Sequence, residues 1–147
     1  MKISTRARYG TRAMLDVALH YTEGRVHLKD IARRQQVSKK YLEHLISRLQ
    51  TAGLLRSIRG TRAEISLARP PSEIRLSEIF QTLEGRIALL DCVDNPECCP
   101  RSSTCATRDI WMQMGQLLSA FLESKTLEDL CRQQREKERS TRAMYHI

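Results

Sequence analysis

The stretch DIARRQQVSKKYLEHLISRL, residues 30–49, narrows the possible folds more than any other part of the chain. It joins two segments with helical apolar spacing through a tight turn at Val37 and Ser38. The first segment, Leu28 to about Gln35, turns Ile31 and Ala32 inward. Ser38 can cap the second, Lys39 to about Thr51, along which Tyr41, Leu42, Leu45, Ile46 and Leu49 share one face; Gly53 is a natural stop. Burial of Ile31, Ala32, Val37, Leu42 and Leu45 would set the crossing angle of a helix-turn-helix. Two short β-prone segments, LLRSIRG and AEISLA, follow directly, with Gly60 and Thr61 between them. A helix-turn-helix followed by a hairpin is a winged helix, a far more specific pattern than either part alone.

The remaining elements read as helices. Ser4 can cap a helix over about 5–21 that Gly24 ends. Pro70 and Pro71 break the chain after the wing, and SEIRLSEIFQTLEG gives a short amphipathic helix stopping at Gly85. A long helix spans about 107–124, with Ile110, Trp111, Met114, Leu117, Leu118, Phe121 and Leu122 apolar. Thr126 and Asp129 have capping-box spacing and would start a last helix through Leu127, Leu130 and Cys131, the latter a small core residue. The expected class is mainly α: a winged helix-turn-helix with a small β-wing and a long C-terminal helix. The expected divisions are 1–85 for the DNA-binding module, 86–106 for a cysteine loop, 107–132 for the long and last helices, and 133–147 for a charged, frayed or disordered tail.

Charge divides the chain in two. Residues 1–75 carry 16 Lys/Arg against 6 Asp/Glu, a balance of +10; residues 76–147 carry 9 against 11, a balance of −2. Such a one-sided surplus is the footprint of a phosphate-binding surface. Ser38, Lys39, Lys40 and Tyr41 begin the second helix of the helix-turn-helix, the end that enters the major groove; Lys39 and Lys40 suit phosphate or guanine. Glu43, His44 and Arg48 lie further along, and Glu43 suits a cytosine amino group or repels phosphate. Arg6, Arg8 and Arg12 on the first helix suit phosphate. No apolar run is long enough for a membrane span or a signal-peptide core, so the expected location is cytoplasmic and reducing. His20, His27, His44 and His146 are scattered and no phosphate-cradling glycine loop exists, so no enzyme is expected.

Four of the five cysteines fall in DCVDNPECCPRSSTC, residues 91–105, with Pro96 and Pro100 among them. The prolines and small polar residues disfavour regular structure. In a reducing compartment, thiols crowded on a loop point to a metal or a cluster rather than to a disulfide. The two spacings available are C-x6-C-x5-C through Cys92, Cys99 and Cys105, and C-x5-C-x6-C through Cys92, Cys98 and Cys105. Asp91, Asp94, Glu97 and Asp109 are the local oxygen donors. Zinc is the competing metal, but its familiar C-x2-C pairs are absent.

Taken together, KISTRARYGTRAMLDVAL, KYLEHLISRLQTAGLLRSIRG, LSEIFQTLEG and three loop cysteines ending in C-x5-W at Trp111 resemble the IscR/NsrR/BadM group of bacterial winged-helix regulators, over roughly residues 1–130. Members of that group sense iron–sulfur clusters, nitric oxide or iron. The resemblance implies a homodimer in which the long helix crosses its partner, operator DNA as ligand, and control by an iron–sulfur cluster, 2Fe–2S favoured over 4Fe–4S. It implies Cys92, Cys99 and Cys105 as ligands, because the last two ligands of the group are five residues apart; Cys98 remains the alternative middle ligand. It implies that Glu43 sets the choice among operator classes. It also implies a minor-groove role for Arg59 at the wing base, with Arg62 second.

Two positions depart from the group. The wing reads RGTRAEISLA without the usual glycine pair and aromatic residue, which places Glu64 where a phosphate would lie. Relatives supply a fourth ligand, a His three residues after the last Cys or a carboxylate near position 8. Arg108 and Arg8 stand there instead and cannot ligate iron. The alternatives are a cluster-free regulator controlled by a protein partner and a zinc-stabilised structural module.

Overall fold

The computed structural model describes residues 2–58 and 61–146, without the side chains of Thr61 and Arg62. Arg59 and the Arg62 side chain therefore lie outside the described residues. Seven α-helices and three strands follow in the order α1 (Thr5–Leu19), β1 (Val26–His27), α2 (Leu28–Gln35), α3 (Lys39–Thr51), β2 (Leu55–Ile58), β3 (Thr61–Leu67), α4 (Leu76–Glu84), α5 (Asp91–Asp94), α6 (Ala106–Ser124) and α7 (Leu127–Tyr145).

The helix-turn-helix forms as its sequence dictates. Ser38 accepts the Tyr41 N–H at 3.1 Å and so satisfies one free donor at the start of α3. The turn before it is made by Gln36, at φ 55°, whose N–H closes α2 on Arg33 and Ala32 carbonyls. A left-handed non-glycine residue is uncommon, and it lets the chain reverse within three residues. Ile31, Leu42, Leu45 and Leu49 are fully buried behind the turn. Each such side chain contributes about 1.5–3 kcal/mol of burial.

The wing is a three-stranded antiparallel sheet of order β1-β3-β2. Leu55 pairs with Leu67 and Ser57 with Ile65; an irregularity between Ser57 and Ile58 loosens the ladder towards the tip. The two-residue β1 pairs Val26 with Ile65 and His27 with Glu64.

Helix α4 packs across α1 at Gly10. A Cβ there would lie 2.3 Å from Leu83 Cδ1, so the two helices approach as closely as they do because position 10 has no side chain. The C-terminal part is tied on by backbone. Leu76 N–H donates to Lys125 O at 2.9 Å and Leu127 N–H to Ile74 O at 2.8 Å. The Thr126/Asp129 capping box forms as expected, and Leu127 and Cys131 complete the core.

The cysteine segment is not wholly irregular. Asp91–Asp94 makes one helical turn and Pro96–Cys98 a 3-10 turn, each starting where proline or an acidic first turn is tolerated. The tail also differs from expectation: α7 runs on to Tyr145 instead of fraying from 133. That stretch lacks Gly and Pro, is rich in Arg, Glu, Gln and Lys, and carries a Gln134–Glu138 hydrogen bond one turn apart, all of which favour helix.

Candidate DNA-binding surface and thiol loop

The start of α3 is an exposed, basic helix end. Ser38, Lys39, Lys40, Glu43 and His44 are all exposed. Lys39 Nζ lies 3.8 Å from Glu43 Oε1, so the acidic residue of this surface is partnered by one of its own lysines. Tyr41 is half-buried, and its ring meets the Tyr9 ring edge-on at 6.3 Å. The Arg8 and Arg12 guanidinium groups lie 4.7 and 5.4 Å from the Tyr9 centroid. The aromatic pair thus brings two arginines of α1 to the first turn of α3, an adjacency the sequence alone did not indicate.

Arg48 does not join this surface. It turns towards α4, lining a shallow surface depression with Thr51 and Thr82, and its Nη1 is buried without a hydrogen-bond partner.

Glu64 also departs from expectation. It is 17% exposed and faces β1, with Arg25 Nη1 at 3.3 Å and His27 Nε2 at 3.4 Å. The register that pairs His27 with Glu64 turns the carboxylate onto the sheet rather than towards a phosphate.

Behind the surface lies a polar network that the sequence reading missed. Asp16, 4% exposed, accepts Arg34 Nε at 2.9 Å, Arg34 Nη2 at 2.6 Å and Gln35 Nε2 at 2.9 Å. Its hydrogen bonds raise the Arg34 pKa further above its ordinary value. A bidentate guanidinium on a buried carboxylate fixes both position and tilt, so α1 and α2 are joined rigidly. An acidic residue on the apolar side of an amphipathic helix was the signal that could have disclosed it.

The thiol segment runs from α5, which carries Cys92, to Cys105 at the cap of α6. Cys92, Cys99 and Cys105 are half-buried and Cys98 is exposed; all are free thiols. The Cys98 thiol is pushed above its ordinary value by desolvation and by the nearby Cys92, Asp91 and Cys99. Cys105 is moved the other way, by the Thr107 hydroxyl at 3.1 Å and the Arg108 backbone N–H at the head of α6. Burial pushes the Cys131 thiol up. Arg108, at the position for which the resemblance implied a ligating His, has a different use: Nε donates to Cys92 O at 2.8 Å and Nη2 to Val93 O at 3.3 Å, fastening α5 to α6.

The donor chemistry fits an iron–sulfur cluster, since soft thiolates on one segment are what iron–sulfur centres require. The arrangement is open: among the described residues no three metal-ligating side chains converge on one ion. Asp94, an expected oxygen donor, is 4.0 Å from Arg86.

A family model described as "Rrf2: Iron-dependent Transcriptional regulator" matches residues 3–133. The chain belongs to the Rrf2 family. It is 42% identical to Protein rrf2 of Nitratidesulfovibrio vulgaris over 90% of this chain and 88% of that one. Among solved structures, T. potens IscR superposes with a TM-score of 0.76 at 36% identity, covering 93% of this chain and 90% of the other. The structure of CymR, the global cysteine regulator of B. subtilis, does so at 0.74 and 36%, covering 90% and 97%. The protein is therefore a winged-helix, DNA-binding transcription regulator and not an enzyme, as its sequence indicated. No helix among the described residues is long and apolar enough to cross a membrane.

Proposed function

We propose that the chain is a homodimeric regulator whose operator affinity is set by an iron–sulfur cluster, of the 2Fe–2S kind, held by Cys92, Cys99 and Cys105. The observation that carries this reading is the placement of these thiols on one short segment pinned to α6 by Arg108. A bound cluster would supply a centre whose presence depends on iron supply and oxidants, held by Cys92, Cys99 and Cys105. The chain's own residues do the rest. Cys105, held towards thiolate by Thr107 and Arg108, is the ligand readiest to bind. Cys92 on α5 and Cys99 would complete the set, and their ligation would couple α5 to the head of α6. Cys98, exposed and pushed away from thiolate, stands outside the set.

Dimerisation is supported by α6. Ile110, Met114, Leu117 and Phe121 form a stripe along one side and are 51%, 39%, 70% and 58% exposed. A second copy bringing the same stripe buries both. On the DNA side, Ser38 at the cap of α3, Lys39, Lys40, Tyr41, Glu43 and His44 of α3, and Arg8 and Arg12 of α1 face the operator; for Arg59 and Arg62 the resemblance in sequence is the only support. Arg48 is left out because it faces α4.

The dispersed thiols favour one second reading: a cluster-free regulator governed by a protein partner, in which these cysteines have no metal. Protein purified without oxygen decides between them by its visible spectrum with iron and sulfide analysis. A brown protein with near-stoichiometric iron is the expected result, lost in Cys92→Ala, Cys99→Ala or Cys105→Ala and kept in Cys98→Ala. A colourless protein without iron that still binds operator supports the second reading, and a colourless zinc protein the structural one. A colourless Cys98→Ala beside a brown Cys99→Ala reassigns the middle ligand. Holo and cluster-free protein should differ on at least one operator by about 5–150-fold.

A further inference from the structure

Gln35 spans the distance between the buried Asp16 and the surface. Its Nε2 donates to Asp16 Oδ2 at 2.9 Å, and its Oε1 accepts from Arg12 Nε at 2.8 Å. A side-chain amide has one donor end and one acceptor end, a carboxylate only accepts and a guanidinium only donates. Gln35 therefore has a single orientation here. Asp16 is itself held by the two donors of Arg34, so the anchor does not shift. The bond to Arg12 uses Nε and leaves the two terminal nitrogens outside it. The same guanidinium lies against Tyr9, which meets Tyr41 in the first turn of α3, beside Lys39 and Lys40. The guanidinium of a long, exposed side chain is thus held by two neighbours at the edge of the recognition helix.

We propose that Gln35 is a positioning residue for DNA binding: anchored on Asp16, it holds Arg12 in the orientation that accepts a backbone phosphate next to the major-groove helix. The proposal rests on the reading of the exposed start of α3 as the DNA face. A free arginine loses rotamer freedom when it binds; one already held does not. Gln35 lowers that ordering cost without touching DNA.

The test uses the full chain, a duplex selected by the wild-type protein from a random-sequence pool, and an unrelated duplex of equal length, each titrated at several salt concentrations. Arg12→Ala should weaken binding to both by about 10-fold and flatten the salt slope by ~0.9, as expected for one lost phosphate contact. Gln35→Met should weaken binding by about 3-fold with the slope unchanged, because the charge remains but is no longer held. The double variant should bind no worse than Arg12→Ala. Losses that multiply in the double variant overturn the proposal, as does an Arg12→Ala protein that binds like wild type while Lys40→Ala is weakened. If Arg12→Ala and Lys40→Ala both bind like wild type, the DNA-face reading itself falls. Should Gln35→Met unfold, Gln35→Glu separates the roles: it keeps an acceptor for Arg12 while crowding Asp16. Operator affinity retained despite a lower melting point supports positioning; affinity lost as in Arg12→Ala overturns it.

Discussion

Residues 1–85 and residues 86–147 are stabilised in different ways. Among the described residues, every buried apolar side chain except Leu127 and Cys131 lies in the first region. The second exposes Ile110, Met114, Leu117 and Phe121 on α6 and leaves most of α7 in solvent. The first region carries the basic surplus, 16 Lys/Arg against 8 Asp/Glu, whereas the second holds nine of each and is neutral. The winged module therefore holds itself together largely through its own core, whereas the C-terminal half takes its order from what it touches: the backbone ties at Lys125 and Leu127, the α4 face, and the core that Leu127 and Cys131 enter.

That contrast is most easily broken by deleting one leucine on each side. Leu49→Ala in the core should cost about 3 kcal/mol by denaturant unfolding. Leu117→Ala should stay within about 0.5 kcal/mol in dilute protein. Comparable losses would mean that α6 shares a core with its partner at every concentration reached, and the two halves would no longer be separable. Asp16→Ala should cost about 2 kcal/mol, because Arg34 and Gln35 lose their shared acceptor and Arg34 remains partly hydrated.

A smaller effect is expected at the junction of the halves. Burial alone would raise the Glu78 pKa, but the Arg75 N–H and the Arg69 guanidinium overcome it and hold the carboxyl below its usual value. A depressed folded value contributes stability above the unfolded pKa and loses it as pH falls through the folded one. Glu78 is 37% exposed, so Glu78→Gln should cost no more than about 0.5 kcal/mol near neutrality. The difference should vanish on acidification below 4.5, the ordinary carboxylate value. Melting curves across that range check it. The smallest effect concerns the tail: removing residues 135–147 should leave the melting point unchanged to within a degree or two, since those of its residues that are described lie in solvent. A large drop would show that the end of α7 packs on a second copy.

The same contrast explains what could be read in advance. Ser38 and Thr126 announced their helices because capping is local chemistry, and Ile31, Leu42 and Leu45 announced the helix-turn-helix because a self-contained core needs regular spacing. Gln36 gave no warning; nothing in Gln marks a left-handed turn. The β1 strand was invisible because Val26 and His27 are strand only by pairing with Ile65 and Glu64, almost forty residues away. At the site, Lys39 and Lys40 were legible as an exposed basic helix end. The inward turn of Arg48, the pairing of Glu64 and the fastening role of Arg108 were not, since each depends on a neighbour brought in from another element. The cysteines were legible as a group, but their separation in space was not.

The backbone ties around Lys125 have a mechanical consequence. Nineteen residues of α6 make a rod about 28 Å long. Its far end is riveted to the segment before α4 by two amide hydrogen bonds, while its near end carries Cys105 and Arg108. A rod fixed at one end pivots. Displacement applied at the thiols is therefore carried along the shaft in decreasing measure, about half of it reaching the apolar stripe near Met114 and Leu117 and almost none the rivet. An ångström-scale displacement at the loop thus becomes a change in the angle of α6 about its rivet.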